Sequence, residues 1–221
     1  MIDLKDMRLE HIFVGKPVEA DFNGKTITTG IYKEQVKGLV RVEKTNIVGD
    51  QQADLTVHGG INKAVYAYPI EHYQFWKKER SDLSFRPGVF GENLSISGVD
   101  EETICIGDRL RLGEVELSVT SPRMPCYKLG IKLKDPGFVR DFMKAEKNGF
   151  YFKVEQEGEI ASGMQIEKVS TDGYGLKISE VIQLYGSRKN EKALLEKAIN
   201  SPSIPADWRD YFEVRLRNLG K

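Results

Sequence analysis

The sequence predicts a mainly β protein: a closed or partly closed β-barrel with a few short helices and a small C-terminal three-helix extension. Three observations predict it. Short apolar or alternating runs recur between turns from about residue 8 to 120. Their regular spacing favours a barrel over an α/β sheet. The text then turns helical from Lys177 onward. The chain therefore divides into a barrel domain, residues 1–176, and an extension, residues 177–221.

The elements follow in order. Ile12-Phe13-Val14 and Leu39-Val40-Arg41-Val42 read as strands, and Asn23-Gly24 between them marks a hairpin turn. Ile70 to Glu79 is predicted helical, with Tyr73 and Trp76 at helical spacing and Pro69 in its first turn. Glu102–Ile106 and Glu114–Val119 alternate with period two and read as strands, punctuated by Gly107-Asp108. Pro136 to Ala145 is a second helix, carrying Phe138, Val139 and Phe142 on one side. Gly149–Val154 is an aromatic, β-branched strand, and Gln165–Val169 alternates as the last barrel strand. Three helices close the chain: Glu180–Tyr185 capped by Ser179, Glu191–Asn200 capped by Asn190, and Ala206–Leu219 with Trp208, Phe212 and Leu216 at i, i+4, i+8. Helices so short must pack on the barrel or on a second copy of the chain, so Trp208 and Phe212 suggest a homodimer contact.

Composition narrows the function. Of the 221 residues, 33 are Lys or Arg and 33 are Asp or Glu, so charge gives no pull toward nucleic acid or an anionic membrane. No run approaches the ~20 apolar residues that span a bilayer, and the N-terminus has no apolar signal core; a cytoplasmic protein is expected. Two cysteines, Cys105 and Cys126, give no disulfide framework, and three histidines argue against a zinc site.

Chemistry concentrates in three segments. In Thr120-Ser121-Pro122-Arg123-Met124-Pro125-Cys126-Tyr127-Lys128-Leu129, two prolines three apart should end the preceding strand in a stiff loop. Arg123 and Lys128 flank Cys126, and nearby cations favour the thiolate, a nucleophile and soft-metal ligand. The plain alternative is a buried structural cysteine; that reading suits Cys105, inside an alternating run. In the segment Gly49 to Tyr66, His58 precedes Gly59 and Gly60, whose amides could cup an anion with Lys63 as counter-charge; a tight turn is the competing reading. In Phe90-Gly91-Glu92-Asn93-Leu94, the acid–amide pair shapes a turn or fixes a polar ligand. His72 and Tyr73 read as core and helix-surface residues.

Together these segments resemble the MOSC domain, and within it the bacterial YiiM-like group. The resemblance rests on Gly49-Asp50, Asp54, Val57-His58-Gly59-Gly60, Lys63–Tyr66, Tyr68, His72-Tyr73, Trp76, Phe90–Leu94, Gly107-Asp108 and Pro125–Leu129. It covers roughly residues 40–130, and the last three helices are similar to the extension of that group. The resemblance implies a β-barrel binding a molybdenum–pterin cofactor through Cys126, with two-electron removal of oxygen from N-hydroxylated compounds such as hydroxylaminopurines or amidoximes. The cofactor would be bound by His58, Gly59, Gly60, Lys63, Asn93, Arg123 and Lys128, its phosphate by His58-Gly59-Gly60 and Lys63 or Arg123, with His58 the proton donor and Asp50 and Tyr127 weaker ones. Thiolate sulfur suits a high-valent molybdenum centre.

The chain carries neither a plant-type iron–sulfur run nor a dinucleotide fingerprint, so electrons should come from a separate protein. A carrier of the cofactor or its sulfur without turnover is the alternative, with Cys126 holding a persulfide. A barrel acting only as an interaction module through its helical tail is a third.

Overall fold

The computed structural model describes residues 7–53 and 59–219. Along the chain come β1 (Arg8–Val14), β2 (Val18–Phe22), β3 (Lys25–Thr29), β4 (Glu34–Val36), β5 (Val40–Val42), a 3-10 turn at Ile61–Lys63, β6 (Val65–Pro69), α1 (His72–Glu79) and β7 (Leu94–Ser97). β8 (Arg109–Leu112), β9 (Val115–Pro122), α2 (Tyr127–Leu133), α3 (Phe138–Lys144), β10 (Phe150–Gln156), β11 (Gly158–Ile160) and β12 (Glu167–Ser170) follow. The chain ends in α4 (Ile178–Gln183), α5 (Lys192–Asn200) and α6 (Ala206–Leu219).

One eight-stranded sheet dominates, in the order β12-β8-β9-β10-β6-β7-β1-β4. All its pairs are antiparallel except β6 with β7. Among the described residues no sheet closes into the expected closed or partly closed barrel, and β12 and β4 stand at the edges of this sheet. The sheet bends far enough for one isolated bridge, Arg8 with Gln165, flanked by Leu9 N–H to Met164 O and Ile166 N–H to Met7 O. Among the described residues the pairing goes no further, and β12 pairs with β8.

Two further corrections bear on the site. Glu102–Ile106 is a turn, not a strand; Asp108 draws the backbone round by accepting the Cys105 N–H at 2.8 Å, and Cys105 keeps only a bridge to Lys177. The strand before the cysteine does not stop at Val119 but continues to Pro122, opposite Phe150. Proline is tolerated there because β8 has already ended on the other side, its Arg109 opposite Ser118, so no β8 carbonyl waits for the N–H that Pro122 lacks. Pro69 closes β6 instead of opening α1. Ser179 is buried inside α4, whose start is held by the Lys177 N–H to Glu180 at 2.9 Å.

The predicted hairpin is present. Asn23 (φ 54°) and Gly24 (φ 76°) form the two-residue turn joining β2 and β3, the left-handed pair that matches strand twist.

Two apolar clusters hold the fold. The larger joins the inner face of the sheet to the last three helices through Val181, Leu195, Ala198, Trp208 and Phe212. Trp208 is 7% exposed and Phe212 fully buried, both packed within the chain itself. The smaller is aromatic and fixes α1 and α3 beside β6. Trp76 stacks on Phe142 (centroids 5.6 Å, 3°) and donates its indole N–H to Tyr68 Oη at 2.7 Å. His72 pairs with Glu101 at 2.7 Å inside this region, which makes it a core residue as the sequence suggested.

Candidate functional site

The chain leaves β9 at Pro122 and places Arg123 under the sheet. Arg123 is 6% exposed, with its guanidinium over Phe142 at 5.2 Å and Tyr66 at 5.5 Å. Its backbone is pinned on both sides: the N–H donates to Gly149 O, and its carbonyl accepts from Asn148 Nδ2 at 2.9 Å. Met124 and Pro125 lead to Cys126, which is extended (φ −123°, ψ 171°) and accepts the Leu129 N–H at 3.0 Å. α2 begins at the next residue, a helix that the sequence reading took for loop.

Cys126 carries its thiol outside any disulfide and is partly exposed. It lines two cavities at once. The first is rimmed by Lys33, Asp50, Lys63, Asn93, Arg123, Lys128 and Tyr151, with Gly91 and Ile31 in its floor. The second lies toward the helical extension. Five of the residues singled out from the sequence thus converge: Cys126, Lys63, Asn93, Arg123 and Lys128. Gly59 and Gly60 do not line the first cavity. Gly60 has the positive φ expected of it (93°) but uses its carbonyl to accept the Lys63 N–H in the 3-10 turn. His58 lies outside the described residues, as does Asp54.

Asn93 does more structural work than the sequence indicated. Its Oδ1 accepts the Tyr66 N–H, and its Nδ2 donates to Phe13 O and to Asp50 Oδ2 at 2.9 Å. Asp50 is buried and also accepts the Gly15 N–H and the Lys33 ammonium. As a proton donor it is therefore poorly placed, with its oxygens already occupied. Glu92 is fully buried and accepts from Tyr73, Gly88 and Ser95. Gly91 between them has φ 80°, and a Cβ there would lie 2.8 Å from Ile31, so only glycine lets the two cavity walls meet. Tyr127 points elsewhere: it is 45% exposed and packs on Phe22.

Three residues escaped the sequence reading. Lys33 is pushed down by burial, against the pull of Asp50. Lys132 donates to Ile31 O and Gly88 O, and burial lowers it to about 8, opposed by Glu92 and reinforced by Lys33 and Arg123. Tyr151 lies beside Cys126; burial raises its hydroxyl, Arg123 opposes this, and Cys126 adds to it. A signal for Tyr151 was available: period-two alternation puts it on the face opposite the buried Phe150 and Phe152.

The lining suits an anion that carries a soft metal. Four cations, Lys33, Lys63, Arg123 and Lys128, face one lining carboxylate, Asp50. Arg123 Nη1 is buried and has no hydrogen-bond partner among the described residues. The thiol of Cys126 adds the soft ligand.

Fold and site together define a sheet-based domain with a helical extension and a cationic cavity lined by a thiol. The sequence profile of the MOSC domain matches residues 54–167, and the chain belongs to this family of molybdenum-cofactor-binding domains. Within it the chain is YiiM-like: it is similar to the crystal structure of YiiM from Geobacillus stearothermophilus, with TM-score 0.80 and 33% identity over 95% of this chain and 99% of that one. It is 38% identical to YflK of Bacillus subtilis over 210 residues, 93% of each. It is also 32% identical over 202 residues to a protein of Gibberella moniliformis named "Reductase", covering 90% of this chain and 36% of that one. Among the described residues no helix is long and apolar enough to cross a membrane.

Proposed function

We propose that the protein is a molybdenum-cofactor reductase that removes oxygen from N-hydroxylated compounds, using electrons from a separate protein. The observation that carries this reading is Cys126 standing at the junction of two cavities, beside a cationic wall whose buried Arg123 nitrogen has no partner. Kinship with a protein named reductase supports it.

Cys126 would hold the metal, and Arg123, Lys63 and Lys128 would hold the anionic group of the pterin. Once bound, the cofactor would take up the substrate oxygen and supply the two electrons. The chain's own residues have the remaining tasks. Arg123 and Lys128 neutralise negative charge near the sulfur. Asp50, Asn93 and Lys33 fix the opposite wall through their shared hydrogen bonds. The Tyr151 hydroxyl, kept protonated by burial and set beside Cys126, is a proton source for the departing oxygen; His58 is a second candidate.

Expression in a host that makes the cofactor, followed by molybdenum analysis and a hydroxylaminopurine or benzamidoxime assay with a reduced viologen, tests the proposal. The wild type should carry metal and turn over, and Cys126→Ala should lose both. Metal without turnover, given this donor, would make the protein a carrier. Wild type that folds but takes up no molybdenum would end the proposal.

A further inference from the structure

The second cavity beside Cys126 has a volume of about 390 Å³ and is built from both parts of the chain. The sheet side contributes Met124, Tyr151 and Lys63; the helical extension contributes Tyr185, Trp208 and Tyr211. The three extension rings form a panel. Tyr185 and Tyr211 stack (5.1 Å, 11°), and Trp208 meets Tyr185 edge-on at 5.3 Å. Asp207 also lines this cavity and spans it to Lys63 at 3.9 Å. Asp207 is 62% exposed at the side chain and Tyr211 38% exposed, so the panel reaches the solvent.

We propose that this cavity is the substrate pocket and that the helical extension is its recognition element, selecting planar aromatic N-hydroxylated bases. This rests on the reductase reading above. Flat rings pack on an aromatic panel with a defined geometry, worth more than their area alone. The Asp207 carboxylate accepts hydrogen bonds from the N–H groups of an amidine-type base and repels anionic competitors. Because Cys126 lines this cavity as well as the cationic one, a ring seated on the panel directs its N–OH group toward the sulfur. Cationic wall and aromatic panel thus divide the work: one holds the cofactor, the other the substrate.

The division predicts that substrate-like binding needs no cofactor. Benzamidine is the probe, and tryptophan fluorescence of cofactor-free protein is the readout. Only two tryptophans are present, and Trp76 is sealed in the other aromatic cluster, so any quenching reports on Trp208. Benzamidine should quench saturably in the wild type. Tyr211→Ala and Asp207→Ala, both at exposed positions, should weaken binding about tenfold while keeping the wild-type circular dichroism. Absence of quenching in the wild type, or equal affinity in all variants, would overturn the proposal. Failure of the reductase reading would look different: binding intact, but no molybdenum in protein from a producing host. In the loaded enzyme, Tyr211→Ala should raise KM for benzamidoxime with little change in kcat; an unchanged KM would count against the pocket and leave the reductase standing.

Discussion

Arg123→Met tests the view that the buried guanidinium is kept for a ligand at some cost to the fold. In the wild type, Nη1 is buried and unpartnered, which costs roughly 1–3 kcal/mol. The two rings beneath, at 5.2 and 5.5 Å, return up to about 2 kcal/mol by cation–π attraction. Methionine has a similar reach, removes the orphan donor and keeps about 0.3–1.5 kcal/mol of sulfur–aromatic contact. The terms nearly cancel, so the cofactor-free variant should match the wild type or exceed it by about 1 kcal/mol, a rise of ~2–4 °C in Tm at this chain length. Removing one member of a satisfied buried ion pair would instead cost about 3–5 kcal/mol. Urea unfolding of both proteins from a host that lacks the cofactor measures the difference. Inorganic phosphate supplies the second arm: at ten times its Kd it should stabilise the wild type by about 1.4 kcal/mol and leave the variant unmoved. A loss above about 3 kcal/mol in Arg123→Met, or equal stabilisation of both proteins by phosphate, would refute the reasoning.

Two further outcomes are expected. Phe142→Ala should cost about 3–5 kcal/mol in urea unfolding, since the ring is fully buried between Trp76, Tyr68 and Phe90 and also carries the Arg123 guanidinium; a cost under about 1 kcal/mol would mean that the aromatic cluster is loosely packed. Stability should peak near pH 10, as followed by urea unfolding from pH 7 to 11. Lys132 titrates near 8 when folded but at 10.5 as a free side chain, so across that interval the unfolded chain binds the extra proton and stability rises with pH. Above about pH 10 the sign reverses, because burial holds the Tyr66, Tyr68, Tyr73 and Tyr151 protons in the folded state while the unfolded chain loses them. A steady decline from pH 7 would contradict the Lys132 assignment.

What was legible in the sequence follows from which interactions are local. The β2–β3 hairpin needed only Asn23-Gly24, whose left-handed preference acts within two residues. The three C-terminal helices showed in their 3.6-residue periodicity, and α6 runs from Ala206 to Leu219 as expected. Sheet closure is different. Whether β12 pairs onward with β1 or stops at one bridge depends on curvature summed over eight strands, which no local run encodes. The turn at Glu102–Ile106 was missed for a related reason: its alternation imitates a strand, and the carboxylate that bends it, Asp108, was read only as punctuation.

The site divides along the same line. Cys126, Arg123 and Lys128 are near neighbours in sequence, so their meeting was foreseeable. Lys33 and Tyr151 come from separate elements, and Tyr151 reaches the cavity wall through the sheet order that sets β10 between β9 and β6. Asn93 was recognised as a site residue, yet its geometry assigns it a scaffold task, tying Asp50 to the backbone of Tyr66 and Phe13. A residue type can announce that a polar position is buried; only the partners decide whether it serves the ligand or the walls around it. Arg123 is the complementary case, since its backbone is fully tied while one nitrogen of its charged head has no protein acceptor. A fold that fixes a guanidinium this firmly and leaves that nitrogen unsatisfied among the described residues carries a cost that an apolar side chain would avoid, and Arg123→Met measures it.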